Sequence, residues 1–184
     1  MDTISTALCF PTLDSLAAAP PTFPGGAGAD PDAVIPPEGP FELLSVRVGG
    51  QEYGLPLPSI QEIRRYQTAT PLPGQAAAVL GVMDLRGQVI ALLDLRRLLN
   101  LPDVAEDDGR RAVVVLVRDE RRLGLVVDEV LDVLRAEPGQ FRPLPALPGP
   151  FARRHLAGLI SADARRVLLL RADDWLAAHA NRAA

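Results

Sequence analysis

Lysine is absent from this chain of 184 residues, and all 19 of its basic side chains are arginine. That excludes a phosphate-loop lysine and any imine chemistry on a lysine amine. A single cysteine, Cys9, excludes an internal disulfide framework and a thiolate metal cluster built by one chain, and fits a reducing compartment. Aromatics are only 4% of residues, so few rings are on hand to stack against nucleic-acid bases, and Val, Leu, Ile and Ala must fill the core. No uninterrupted apolar run approaches the roughly 20 residues of a membrane helix. Ala17-Ala18-Ala19 lacks the basic segment of a secretion signal, because Asp2 stands there and Pro11 and Asp14 break the apolar run. The expectation is a cytoplasmic protein without direct membrane insertion. A net charge of −4 and a pI near 5.2 give no general attraction for nucleic acid.

What is present is a core-forming chain with an odd beginning. Residues 1–40 hold 8 of the 18 prolines and five acids, with no basic residue, a composition that cannot bury enough surface to offset its ordering entropy. They are expected to form a disordered acidic leader. Phe10, Leu13 and Leu16 behind Thr12 would suit a short docking segment, but a solvated tail fits the composition better. Residues 41–184 are expected to be the folded domain. Leu44, Val46 and Val48 alternate with polar residues, Gly49-Gly50 signals a hairpin into 51–57, and buried-strand runs follow at Val89–Leu93, Ala112–Val117 and Val167–Leu170. Helical pattern is confined to 95–99 and 172–180. The fold class is all-β with minor short helices.

The chain also repeats itself. Gly54-Leu55 followed by Ile60, Glu62 and Ile63 matches Gly124-Leu125 followed by Val130, Asp132 and Val133 at the same spacings. Gly81-Val82-Met83 leading to 89–93 matches Gly158-Leu159-Ile160 leading to 166–170. Two similar units of about five short strands follow, each too small to cover its apolar face as a flat sheet, so each should curl into a small barrel and the two should share a core.

Signals for chemistry are thin. The histidines are His155 and His179, no Gly-x-Ser-x-Gly elbow surrounds Ser45, Ser59 or Ser161, and a Ser161–His155 pairing rests only on the two being conceivable neighbours. There is no His-x-x-x-His, no cysteine pair and no calcium-loop pattern, so neither metal nor cofactor is expected. The paired arginines are scattered among acids and read as solvated turns rather than a nucleic-acid surface. Asp84-Leu85-Arg86-Gly87 is the exception: a tight hairpin tip in which Gly87 supplies a positive φ and Arg86 stands on rigid support. Arginine suits an interface because its planar fork binds carboxylates and its stem packs on apolar surface. From the hairpin alone, such an anchor and an ordinary turn arginine fit equally.

With these residues in place the chain resembles the CheW-like domain family of bacterial chemotaxis adaptors. The resemblance is carried by Gly50-Gln51-Glu52-Tyr53-Gly54, Ile60-Gln61-Glu62-Ile63-Arg64, Pro73 to Gly81, Leu85-Arg86-Gly87, and Val89-Ile90 through Leu93-Asp94-Leu95-Arg96. In the second half it runs through Gly124 to Val130, Asp132-Val133-Leu134, Phe141 to Pro145 and Leu156-Ala157-Gly158. It implies two intertwined five-stranded SH3-like β-barrels and a non-enzymatic adaptor at membrane-associated receptor arrays. The implied partners are a chemoreceptor cytoplasmic tip and the regulatory domain of a CheA-type histidine kinase. Carried over residue by residue, the partner-binding set is Ile60, Glu62, Ile63, Asp84, Arg86, Gly87, Val127 and Val130, with Gly81 shaping the surface. Asp84 departs from the family's usual Asn and offers Arg86 an internal carboxylate; Arg171 departs from its repeat counterpart Asp94. The leader departs too, and a scaffold or localisation role in a specialised chemosensory pathway, with the leader as an extra contact, is the alternative.

Overall fold

The computed structural model describes residues 38–102, 109–144, 155–162, 164–172, 175–177 and 181–182. Almost all of the expected leader, with Cys9, and also His179, lie outside the described residues.

Alternating apolar residues become strands where the sequence indicates them. β1 (Phe41–Val48) and β2 (Gln51–Pro56) turn on Gly49 and Gly50, both at positive φ. A 3-10 turn leads to β3 (Ile60–Arg65), and β4 (Val79–Leu85) and β5 (Gln88–Asp94) form the next hairpin. The helix α1 (Leu95–Leu98) starts where Asp94 accepts hydrogen bonds from the backbone N–H groups of Arg96 and Arg97, satisfying donors that a helix start leaves open. The second half repeats the plan with β6 (Ala112–Arg118), β7 (Arg121–Val127), β8 (Glu129–Ala136), β9 (Phe141–Arg142), β10 (Leu156–Ala162) and β11 (Arg165–Leu170). A helical turn at 175–177 and β12 (Asn181–Arg182) follow. Of the helix expected over 172–180, only that turn lies within the described residues.

The halves do not form one barrel each. One sheet runs β8-β1-β2-β11-β10-β9 and the other β3-β6-β7-β5-β4, so the second barrel is the unbroken run β3–β7, the first joins β1 and β2 to β8–β11, and each half gives its strands from the third onward to the other half's first two. The registers repeat: Leu168 faces Tyr53 and Leu169 faces Gly54 in one sheet, while Ala91 faces Leu123 and Leu92 faces Gly124 in the other. Each ring closes in the same way. Thr70, downstream of β3, exchanges two 2.9 Å backbone hydrogen bonds with Val82 on β4, and Arg142 on β9 pairs with Leu159 on β10. Both closures sit beside a bulge, at Val79/Gly81 and at Leu156/Gly158. At Gly81, φ is +140° and an added Cβ would stand 2.6 Å from the Thr70 carbonyl carbon and closer still to its oxygen. At Gly158 it would enter the Phe141 ring. The duplicated glycines are therefore where the closing segment crosses at backbone contact.

Alternation also divides the core. On β6, Val113 and Val115 face a cluster inside the second barrel with Leu85, Ile90, Leu92 and Val126, while Ala112, Val114 and Leu116 face the other way. On β1, Leu43 joins Phe141, Ile160 and Val167 inside the first barrel, while Leu44, Val46 and Val48 face a larger cluster shared by both. Trp175 and Leu176 close over that shared core. The strand exchange and this common core make the two barrels one cooperative body.

The β6–β7 hairpin carries no glycine signal. The β6–β7 tip is Asp119-Glu120, with φ of 47° and 64°, at the positions that Gly49 and Gly50 occupy in the first half. A side chain in this left-handed region costs about 1 kcal/mol. Glu120→Gly should therefore stabilise the fold by up to about 1 kcal/mol, read as a rise in urea midpoint; a fall would show that the tip is not strained.

Candidate interaction surface

The two parallel strand pairs set the geometry of the barrel ends. Because β5 and β7 run side by side, the tips preceding them, Arg86-Gly87 and Asp119-Glu120, lie at one end of the second barrel. Arg86 and Gly87 both have positive φ, 53° and 84°, giving the two-residue turn whose twist suits a hairpin. Asp84 fastens that turn, accepting the Gly87 backbone N–H at 3.0 Å. The carboxylate that meets Arg86 is a different one: Arg86 Nη2 donates to Glu62 Oε2 at 2.9 Å. Asp84 is thus a turn lock, since its side chain is engaged by its own hairpin. Glu62 is largely covered, with Arg64 also nearby at 3.6 Å, and its Oε1 is buried with no hydrogen-bond partner among the described residues. Arg86 is 72% exposed, and Val89, across the hairpin from Asp84, is 54% exposed. This end therefore offers an oriented guanidinium beside an apolar side chain.

Beneath them Arg122 on β7 donates to Gln61 on β3 at 2.9 Å and to Gln88 on β5, tying three strands across the mouth. The first barrel's mouth is built differently from the same positions. Arg165 on β11 holds both oxygens of Asp132 at 2.8 and 3.0 Å, Glu52 at 3.0 and 3.1 Å, and the fully buried Ser45 hydroxyl at 3.1 Å. Hydrogen bonding to Asp132 foremost, opposed by burial and helped by Glu52, holds this guanidinium protonated even above its ordinary range. One barrel thus turns its cation inward against two carboxylates and the other presents it on a tip. Arg165→Ala would leave Glu52 and Asp132 unpaired and should cost about 1–2 kcal/mol of stability, the partly exposed site screening the rest. Arg165→Lys should recover only part, lacking the bidentate fork; full recovery in a urea titration would contradict the clamp.

The remaining expected contact residues lie elsewhere. Ile60, Ile63, Val127 and Val130 all pack on the shared core between the barrels. Val127 is 1% exposed: β7 runs mid-sheet, Val127 faces Ala112 on β6, and its side chain is interior. Ile60 is buried too, so these two form the floor of the seam, and Ile63 and Val130 are its half-buried walls. Ion pairs fix the seam's other side, where Arg96 Nε reaches Asp128 at 2.7 and 2.9 Å, the Gly49 N–H donates to Asp128 at 2.8 Å, and Arg47 pairs with Glu129. Arg111 joins the buried Asp94 at 2.9 Å while lying 4.5 Å over the Tyr66 ring. The sequence reading missed these pairs, and the Arg165 clamp; for the clamp a signal existed, since Asp132 is the repeat counterpart of Glu62. The conceivable catalytic pair does not assemble: His155 Nδ1 accepts the Trp175 indole N–H at 2.8 Å, and Ser161 is six residues along an extended strand, about 20 Å away.

Comparison with known proteins finds relatives of this sequence and a shared fold. A family model described as the CheW-like domain matches residues 42–179. The chain belongs to the CheW-like domain family. It is 34% identical over 132 residues to the chemotaxis protein CheW of Rhizobium meliloti, covering 72% of this chain and 84% of that one. It is likewise 34% identical over 129 residues to CheW of Klebsiella aerogenes, covering 70% and 77%. Protein FrzA of Myxococcus xanthus is 34% identical over 122 residues, covering 66% and 75%. The crystal structure of the scaffolding protein TtCheW from Thermoanaerobacter tengcongensis superposes with a TM-score of 0.66 at 18% identity, covering 72% of this chain and 89% of that chain, which shows the shared fold. The CheW-like region spans every described strand from β1 to β11, so the exchanged barrels are the family's fold. Among the described residues no helix is long and apolar enough to cross a membrane.

Proposed function

We propose that this chain is a non-enzymatic chemosensory adaptor that couples chemoreceptors to a CheA-type histidine kinase, using the β4–β5 tip for the kinase and the seam for the receptor. Membership of the CheW-like family supports the adaptor role. The observation that carries the division of labour is the contrast between Arg86 and Val89, exposed on the β4–β5 hairpin, and the apolar strip that Ile63 and Val130 form over the buried Ile60 and Val127. The tip suits a partner surface that sets a carboxylate next to an apolar patch, as the kinase's regulatory domain would. The seam suits the apolar face of a helical hairpin from the receptor's cytoplasmic tip. Binding at receptor arrays then follows from the receptor contact.

Two sites on one body predict simultaneous occupancy. Titrating the receptor tip into adaptor already saturated with kinase should give a ternary complex with each component retained. Displacement of the kinase by the receptor fragment would mean that one surface serves both and would contradict the division.

A further inference from the structure

The end of the second barrel that bears Arg86 carries one piece with no counterpart in the first among the described residues. β5 and β7 pair from Ala91↔Leu123 onward, so Gln88–Ile90 and Arg121-Arg122 lie beyond their ladder. There β12 pairs antiparallel with β7, Asn181 facing Arg122 and Arg182 facing Arg121, and touches β5 as well. At the equivalent place in the first barrel, among the described residues, no strand is added; the Gln51 side-chain amide reaches the Arg166 carbonyl at 3.4 Å instead. The second barrel closes through β3-β6-β7-β5-β4 and the Thr70–Val82 hydrogen bonds, with β12 off that path. This strand is also lightly held. Among the described residues two pairs join it to β7, where β6 has seven, and the Arg121 guanidinium donates to the Ala177 carbonyl at 3.3 Å on an exposed surface.

We propose that Asn181-Arg182 is a displaceable strap: it occupies a strand-addition edge at the start of β7, beside Val89 and the Arg86 tip, and yields it to an extended segment of the kinase's regulatory domain. Main-chain pairing at such an edge supplies affinity while neighbouring side chains supply specificity. A short strap that is closed most of the time lowers the apparent affinity by the fraction of molecules that are open. This inference rests on the reading that the Arg86 end meets the kinase.

The test is the double variant Asn181→Pro/Arg182→Pro in the full chain, since proline lacks the N–H and fits a ladder poorly. Two measurements are made: calorimetric titration with intact CheA-type kinase, and hydrogen exchange of the Arg121 and Arg122 region. The expected result is faster exchange there, with kinase binding about three- to tenfold tighter. Unchanged or weaker kinase binding together with faster exchange would show that β12 does not compete, and overturns the proposal. Unchanged exchange overturns it as well, because β7 would then not depend on the strap. Absence of kinase binding by both variant and parent overturns the adaptor reading itself, and is told apart from the other outcomes by the parent's own titration.

Discussion

Gly81→Ala is expected to lose about 3–5 kcal/mol of folding stability, the largest effect of any single change considered. The physical cause is local. At φ of +140° a side chain is strained before any contact is counted, and the new Cβ would press on Thr70 and on Pro71 Cα at 2.9 Å. The neighbours that would have to yield are backbone atoms, and they belong to the segment that closes the second barrel through the Thr70–Val82 hydrogen bonds. Relief therefore requires opening the ring. Gly139→Ala is the control, since no atom lies within 4 Å of the Cβ built there and its φ is not positive. Urea titration of both variants reads the difference; a Gly81→Ala midpoint close to that of Gly139→Ala would show that the closing segment is not pinned as described.

The second large effect concerns binding. Arg86→Ala should weaken kinase binding by about 1–3 kcal/mol, roughly fivefold to 150-fold, as expected for an arginine anchor at an interface centre. In the free protein Arg86 gains little from Glu62, because an exposed ion pair contributes about 0–1 kcal/mol. A partner carboxylate can therefore recruit it at small cost. Removing the guanidinium also leaves the mostly covered Glu62 carboxylate with the longer Arg64 contact at 3.6 Å, so a modest loss of stability accompanies the loss of binding. Arg86→Lys keeps the charge but loses the fork, and should fall between the two. Asp84→Asn should leave binding nearly unchanged, because a side-chain amide oxygen can still accept the Gly87 N–H. If instead Asp84→Asn proved as damaging as Arg86→Ala, the partner would be reading Asp84 directly and the turn-lock role would be wrong.

Much of the fold is written in local pattern. Period-two alternation in Leu44, Val46 and Val48, the glycine pair at 49–50 and the apolar runs at 89–93 and 112–117 place strands because each depends only on near neighbours. The duplication likewise marks Gly81 and Gly158, whose purpose, close crossing at ring closure, emerges only in three dimensions. The crossing over after β2 and after β7 is different. Both halves offer equivalent edges to equivalent strands, so nothing local says whether β3–β5 complete their own half or the other, and the resemblance alone carried that expectation. The Asp119-Glu120 tip escaped notice because its left-handed turn uses residues that rarely adopt one.

The candidate site was legible to a similar degree. Arg86 and Gly87 could be placed on a tip because Gly87 announces the turn, and Glu62 was singled out, though not as the partner of Arg86. Sequence distance hid that pair: Glu62 and Arg86 meet only when β3 and the β4–β5 hairpin close the same ring. Val127 entered the contact set only through the family resemblance, because an apolar side chain at a strand end suits either a contact or a core. Its position mid-sheet, against Ala112, decides for the core.

The most direct test of a twin-barrel body that joins two partners is reconstitution with purified receptor fragments and a CheA-type kinase. Kinase autophosphorylation should respond to the receptor fragment only when this chain is present, and Arg86→Ala should remove most of that response while the variant remains folded. A kinase that responds to receptor equally well without this chain, or a chain that binds neither component, would contradict the coupling role.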